Sequence, residues 1–272
     1  MPTSIRPIRV NHMNMVVEDF DRAVAHFREL FGAEFVADLP QKEWHAGLVA
    51  FGGVLIEIFA PHAFLLNARY GAHDLGLEYQ ADMASVRAAV AERDIRIIRD
   101  IGSALHTHPA DTLGVAFEFY AGDFPSREWP LLGGRMTPPA YWRDEHPAGL
   151  AGQKGYTHAV RDLGGAVDFL CGFLSAKVAY EADRPAIAAR AVGLAVADVV
   201  VEVLAPAGEG ALEVHLQRFG PGIRSTVLRA RDLGQARRYF EDRGVTLAPG
   251  DTADSFSIPP QANLGLLFQF AE

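Results

Sequence analysis

Apolar and polar positions along the chain follow one rhythm four times: a short apolar run, an aspartate at its end, then an amphipathic stretch. The copies are residues 10–19 followed by 20–31, 75–82 followed by 83–93, 156–162 followed by 163–174, and 226–232 followed by 233–243. In the first stretch Phe20, Val24, Phe27 and Leu30 recur at helical spacing, so one stripe is apolar and a helix is predicted. Asp19, Asp82, Asp162 and Asp232 stand where an N-cap carboxylate accepts orphan backbone N–H groups. Gly32 and Gly244 fall just past helix ends, where the left-handed C′ residue is commonly glycine.

After each predicted helix the period shortens to that of strands. Residues 33–37, 47–51 and 54–59 follow the first, with Gly52-Gly53 as a hairpin signal. Residues 96–99 and 115–120 follow the second, 178–181, 186–194 and 199–204 the third, and 245–247, 255–258 and 264–270 the fourth. Each unit therefore reads β-α-β-β-β, with the third strand of the second unit poorly marked. Four units make two pairs, predicting domains at 1–124 and 153–272. Between them 125–152, rich in Pro, Gly and Trp, predicts a structured linker packed through Trp129, Tyr141 and Trp142.

Composition narrows the class. The 272 residues suit one large or two ordinary domains, at roughly 100–200 residues each. With 49% hydrophobic and 22% charged residues the chain is globular. A net charge of −9 argues against a nucleic-acid partner, since a phosphate-binding face needs a basic excess. No apolar run reaches the roughly 18 residues of a membrane helix, and residues 1–10 are too polar for a secretory signal. The single cysteine, Cys171, excludes an intrachain disulfide and a cysteine-based metal site. A cytoplasmic, soluble protein is the expectation.

Polar residues interrupt strands that packing would make apolar: His12 in the first, Glu57 within Val54–Phe59, and Glu118 within Val115–Tyr120. A carboxylate between large apolar neighbours points to the opposite face of its strand. If that face lines a cavity, one imidazole and two carboxylates suit a divalent ion such as Zn, Mn, Fe, Co, Ni or Mg. A lone Glu in a strand more often marks a wet face, and a lone His a hydrogen-bonded core residue. The patterned set of three is what tips the reading.

These residues resemble the vicinal oxygen chelate superfamily, which includes glyoxalase, methylmalonyl-CoA epimerase, bleomycin-resistance proteins and extradiol dioxygenases. Residues 10–20 are similar to the family's first strand, whose His is a metal ligand. Residues 55–61 are similar to the strand giving the second ligand, and 108–119 to the epimerase-like strand ending in the ligand Glu. The resemblance implies an α+β fold of four βαβββ modules, paired into two half-open mixed β-sheet barrels, with one divalent metal ion per live pair. It also implies that the family's remaining ligand, a His, precedes the strand opening the second module. Here that stretch is Gly71-Ala72-His73-Asp74-Leu75-Gly76-Leu77-Glu78-Tyr79. Alternation puts Asp74, Gly76 and Glu78 on the cavity side. Counting back from Asp82 instead lands on Leu75 and would push Glu78 into the apolar core, at several kcal/mol unless paired. The expected metal set is therefore His12, Glu57, Asp74 and Glu118, with His73 as the alternative to Asp74 if the strand bulges.

The second pair looks emptied. Gly155 replaces the first-strand His by counting, His158 falls on the helix-facing side, and only Glu202 among Ser225, Gln269 and Glu202 is a carboxylate. Resembling two-domain dioxygenases keep iron in the C-terminal half, so the N-terminal set favours the isomerase, epimerase or lyase branch. There a metal-bound carbonyl is activated while a carboxylate moves the neighbouring proton. Glu118 or Glu57 is the expected base, and Glu43 a second candidate. His45, Trp44, Gln41 and Tyr79 are candidate pocket residues, each competing with a packing role, while His106 and His108 read as loop scaffolding. The expected partner is a small carbonyl substrate, with a homodimer as the assembly family members often form. The alternatives are a non-catalytic protein sequestering a small molecule, and an extradiol-type dioxygenase.

Overall fold

The computed structural model of the chain describes residues 3–62, 71–122 and 136–272. The first repeat forms β1 (Arg9–Val16), α1 (Phe20–Phe31), β2 (Glu34–Pro40), β3 (Trp44–Phe51) and β4 (Val54–Pro61). The second forms β5 (His73–Gln80), α2 (Met83–Glu92), β6 (Ile97–Asp100), β7 (Ala104–Thr107) and β8 (Ala116–Tyr120). Of the linker expected at 125–152, residues up to 135, Trp129 among them, lie outside the described residues. Beyond them α3 (Pro139–Asp144) buries Trp142 and leaves Tyr141 exposed. The third repeat forms β9 (Leu150–Ala159), α4 (Leu163–Leu174), β10 (Lys177–Arg184), β11 (Ala189–Val196) and β12 (Val199–Pro206), followed by α5 (Ala211–Phe219). The fourth forms β13 (Gly222–Ala230), α6 (Leu233–Glu241), β14 (Ala248–Pro249), β15 (Ser255–Ile258) and β16 (Phe268–Ala271).

All four aspartates cap as their position dictates. Asp19 accepts from the backbone N–H of Arg22, Asp82 from Ser85, Asp162 from Gly165 and Asp232 from Gln235, at 2.8–3.0 Å. The strands assemble into two eight-stranded mixed half-barrel sheets of matching order, β2-β3-β4-β1-β5-β8-β7-β6 and β10-β11-β12-β9-β13-β16-β15-β14. The architecture is α+β. Among the described residues no helix is long and apolar enough to cross a membrane.

Compactness groups the chain into two units, each drawing one repeat from either sheet. The first unit is Met1–Met13, Leu75–Asp123 and Gly155–Arg224. Its core packs Tyr79 of β5 and Phe117 and Phe119 of β8 with Phe169 and Phe173 of α4, ring centroids 5.2–6.4 Å apart. The second unit is Asn14–Asp74, Phe124–Lys154 and Ser225–Glu272. There Phe27 and Phe31 of α1 pack with Phe51 of β3, Phe240 of α6 and Phe268 of β16, at 4.2–6.2 Å.

The elements differ from the sequence pattern in several places, among them β14, which lies at 248–249 rather than 245–247. The missing strand of the second repeat is β7, only four residues long and thus too short to show an alternation. Helix α5 has no counterpart in the fourfold pattern; it covers one face of β11 and β12 through Leu212 and Leu216, packed on Ala189, Ala191 and Leu204. The last strand begins at Phe268 rather than 264, because Leu264 (φ 54°) and Gly265 (φ 94°) are left-handed. The same turn precedes β8: a 3-10 turn over Pro109–Asp111 leads into Leu113 (φ 58°) and Gly114 (φ 83°). At Gly114 a Cβ would fall 1.7 Å from the Pro221 carbonyl oxygen, so the backbone there accepts only glycine.

Candidate metal centre

Strands β1, β5, β8 and β7 are neighbours in the first sheet, and β1 contributes two side chains, the others one each, to a polar cluster within the first unit. On β5, Leu77 and Tyr79 are fully buried, with Tyr79 among the core rings, so alternation turns Glu78 to the other face. The parallel ladder sets Glu78 beside Glu118, and the antiparallel ladder sets His106 of β7 opposite Glu118. His12 comes from β1 between the buried Asn11 and Met13. Gly76, two residues before Glu78, leaves no room for a Cβ, which would lie 1.9 Å from the Ala116 carbonyl oxygen.

His12 faces both carboxylates. Its Nδ1 is 3.6 Å from Glu78 Oε1 and its Nε2 is 3.7 Å from Glu118 Oε2. Glu118 Oε1 lies 2.8 Å from His106 Nε2. Asn11 Nδ2 donates to Glu78 Oε1 at 2.8 Å and to the Gly122 carbonyl at 3.2 Å. His12, Glu78 and Glu118 are 3%, 1% and 8% exposed. Burial pushes the Glu78 carboxyl up to about 8, with His12 opposing and the Glu118 charge adding to the rise. Burial would raise Glu118 too, but the His106 hydrogen bond and the nearby His12 outweigh it and hold that carboxyl below the usual carboxylate range.

Among the described residues, His12, Glu78 and Glu118 offer ligand atoms that all lie within 4.8 Å of one another. One imidazole and two buried carboxylates are a donor set that fits a divalent cation. The bonds from Asn11 and His106 supply the outer partners that ligating carboxylates carry.

The other expected residues stand elsewhere. Asp74 lies on the same strand as Glu78 but four residues away, about 13 Å at ~3.3 Å per residue, too far to share an ion with it. Its Oδ1 accepts from the Thr226 hydroxyl at 3.4 Å, and burial raises its carboxyl to about 7. His73 bonds the Gly71 carbonyl through Nδ1 at 2.8 Å, and burial lowers its basicity. Glu57 is half-buried in β4 opposite Leu48, and Glu43 sits in the turn before β3. Trp44 packs edge-on against Phe59. His45 stacks on Phe20 with centroids 3.6 Å apart and holds Asp38 at 2.6 Å. Tyr79 is fully buried, its hydroxyl 3.2 Å from that of Tyr156. His108 accepts from the Ala110 N–H and so caps its own loop.

Glu78, His106 and Asn11 are the cluster members outside the expected set. Glu78 carries the same signal as Glu57 and Glu118, a lone carboxylate between apolar neighbours. What the sequence lacks is the ladder register that sets it beside Glu118.

In the second sheet the polar strand residues are engaged with other partners. Glu202 is 8% exposed, accepts from the Tyr180 hydroxyl at 2.9 Å and is ion-paired to Arg184. His158 is fully buried with Nε2 2.8 Å from the Leu113 carbonyl oxygen, and burial lowers it to about 4. Gln269 donates to Ser225 and Asp251, both at 2.8 Å.

No protein-family model and no curated protein matches the chain. Solved structures do. A triple mutant of 4-hydroxymandelate synthase from Streptomyces coelicolor aligns over 97% of this chain and 92% of its own, at 15% identity and a TM-score of 0.77. A xylose isomerase-like TIM barrel/4-hydroxyphenylpyruvate dioxygenase fusion protein aligns over 99% of this chain, which spans 50% of that protein, at 12% identity and a TM-score of 0.69. Methylmalonyl-CoA epimerase from Mycobacterium tuberculosis aligns over 44% of this chain and 87% of its own, at 24% identity and a TM-score of 0.42. At such identities the two whole-chain likenesses speak to architecture alone. With the matching strand orders of the two sheets, they establish that the chain carries the tandem vicinal oxygen chelate fold.

Proposed function

We propose that the chain is a metal-dependent isomerase, epimerase or lyase that moves a proton next to a carbonyl of a small organic substrate. In this reading residues 1–124 form the live domain, 125–152 the linker and 153–272 a degenerate partner domain. One observation carries it: the buried His12, Glu78 and Glu118, with ligand atoms within 4.8 Å of one another. Those three residues would hold the divalent ion, which supplies Lewis-acid stabilisation of the negative charge a carbonyl oxygen gains when the adjacent proton leaves.

The chain's own residues bind, orient and move the proton. His12 sets the spacing between the two carboxylates by facing one with each ring nitrogen. Burial keeps water away from all three. A carboxylate is the base, with Glu118, Glu57 and Glu43 as candidates. Glu57→Gln and Glu43→Gln separate them at unchanged metal content: a base variant loses about 10²–10⁴ in kcat, and if neither does, Glu118 is the base.

The first experiment is the metal content of the purified protein, before and after reconstitution, beside a His12→Ala/Glu118→Ala double variant. About one divalent ion per chain, lost in the variant, supports the reading. No ion in either protein after reconstitution overturns it, and tight binding of an organic ligand would then favour sequestration. Fe(II)-dependent oxygen uptake with a catechol would replace proton transfer with ring-cleaving oxidation.

A further inference from the structure

We infer that His106 and Asn11 are positioning residues of this centre, each fixing one carboxylate by a hydrogen bond so that it is held oriented toward a cation. The inference rests on the reading of His12, Glu78 and Glu118 as a cation site.

Strand pairing carries the first half of the argument. His106 and Glu118 are directly opposite in the β7–β8 ladder, the placement in which facing side chains meet. The bond runs from Nε2 to Oε1 at 2.8 Å, while Oε2 is the oxygen turned to His12 at 3.7 Å. One oxygen is thus tethered and the other presented. His106 keeps 23% of its side chain exposed, so it approaches Glu118 from the solvent side.

The Asn11 amide carries the second half. Its Nδ2 serves two acceptors, Glu78 Oε1 and the Gly122 carbonyl, which uses both amide hydrogens. A flipped amide would set oxygen against oxygen at both contacts, so its orientation is determined and Glu78 cannot swing freely.

The nature of the donors completes it. Glu202, a strand carboxylate of the second sheet, is held by the Arg184 guanidinium, which cancels its charge. Glu78 and Glu118 are held by an amide and an imidazole instead. The Asn11 amide orients its carboxylate without carrying a charge that competes with a bound cation; a guanidinium would compete.

The test is a cobalt(II) titration of the full chain, read by the visible absorption of the bound ion and by the dissociation constant. The variants are His106→Phe, His106→Gln and Asn11→Leu, and the thermal melt of each metal-free protein checks folding. Wild type binds about one cobalt ion; His106→Phe and Asn11→Leu weaken binding about 10–100-fold and shift the spectrum. His106→Gln, which keeps an N–H donor, restores most of the affinity. Binding and spectrum unchanged in either deletion variant overturns the role of that residue. Abolished binding in both His106 variants, with one nitrogen donor lost from the spectrum, makes His106 a ligand and also overturns it. If wild type takes up neither cobalt nor zinc nor manganese, the cation reading itself fails, separately from the positioning claim.

Discussion

Glu78 and Glu118 sit side by side, yet burial and neighbours push their carboxyls in opposite directions, up to about 8 in one and below the usual range in the other. Two adjacent buried carboxylates cannot both be charged cheaply, and a divalent cation removes the conflict. Glu78→Gln is therefore expected to abolish metal binding, whereas Asp74→Asn leaves the dissociation constant within about threefold. Calorimetric titration of both variants checks this, and the reverse outcome would move the site to the Asp74 end of β5. His158 makes a separate residue-scale statement. It is buried neutral at about 4, against an ordinary 6.5, so between those values the unfolded chain binds a proton that the folded chain does not. Stability is complete above pH 6.5, falls as pH drops through the window, and loses about 3 kcal/mol in all. His158→Gln keeps an N–H for the Leu113 carbonyl and removes this dependence. Urea unfolding of both proteins above pH 6.5 and near pH 4 should show the gap between them change; a constant gap would refute the assignment.

At the scale of elements, the site depends on ladders more than on any loop. The β5–β8 pair aligns Glu78 with Glu118 and the β7–β8 pair aligns His106 with Glu118, so the entry to β8 must be set to the residue. The left-handed Leu113-Gly114 turn does that, and its copy at Leu264-Gly265 does the same for β16. Gly114→Ala, with φ 83° and a Cβ 1.7 Å from a carbonyl oxygen, is expected to cost about 3 kcal/mol. Gly102→Ala, with φ 84° but open space around it, should cost about 1 kcal/mol. Denaturation of the two variants separates steric crowding from backbone strain. The helices were legible because a stripe and a cap are local; Asp19, Asp82, Asp162 and Asp232 each act within three residues. Strand β7 is not, since Ala-Leu-His-Thr is too short to carry a period, and nothing local sets His106 apart from a loop residue.

Across the whole molecule, two sheets of identical order carry different chemistry. In the first, Glu78 and Glu118 are bonded by Asn11 and His106; in the second Glu202 is ion-paired to Arg184 and accepts from the Tyr180 hydroxyl, and Gln269 is bonded to Ser225 and Asp251. One ion per chain, not two, is the expected stoichiometry, and native mass spectrometry of the reconstituted protein reads it directly. Two ions would mean that the second sheet holds a site of its own. The repeats also serve packing in a way chain order hides: the second and third share one aromatic core, and the first and fourth share the other.

From its sequence alone the chain determined four repeats, four capped helices and the alternation that turns Glu78 and Glu118 away from their apolar neighbours. These are encoded within a few residues of one another, by side-chain period and by aspartates that bond their own helix. Tertiary structure alone decided that Glu78 rather than Asp74 or Glu57 joins His12 and Glu118, that His106 backs Glu118, and which repeats share a core. Those outcomes rest on the register of strands that lie some 40 positions apart, Glu78 against Glu118. Backbone hydrogen bonds set that register, and they are the same for every residue type.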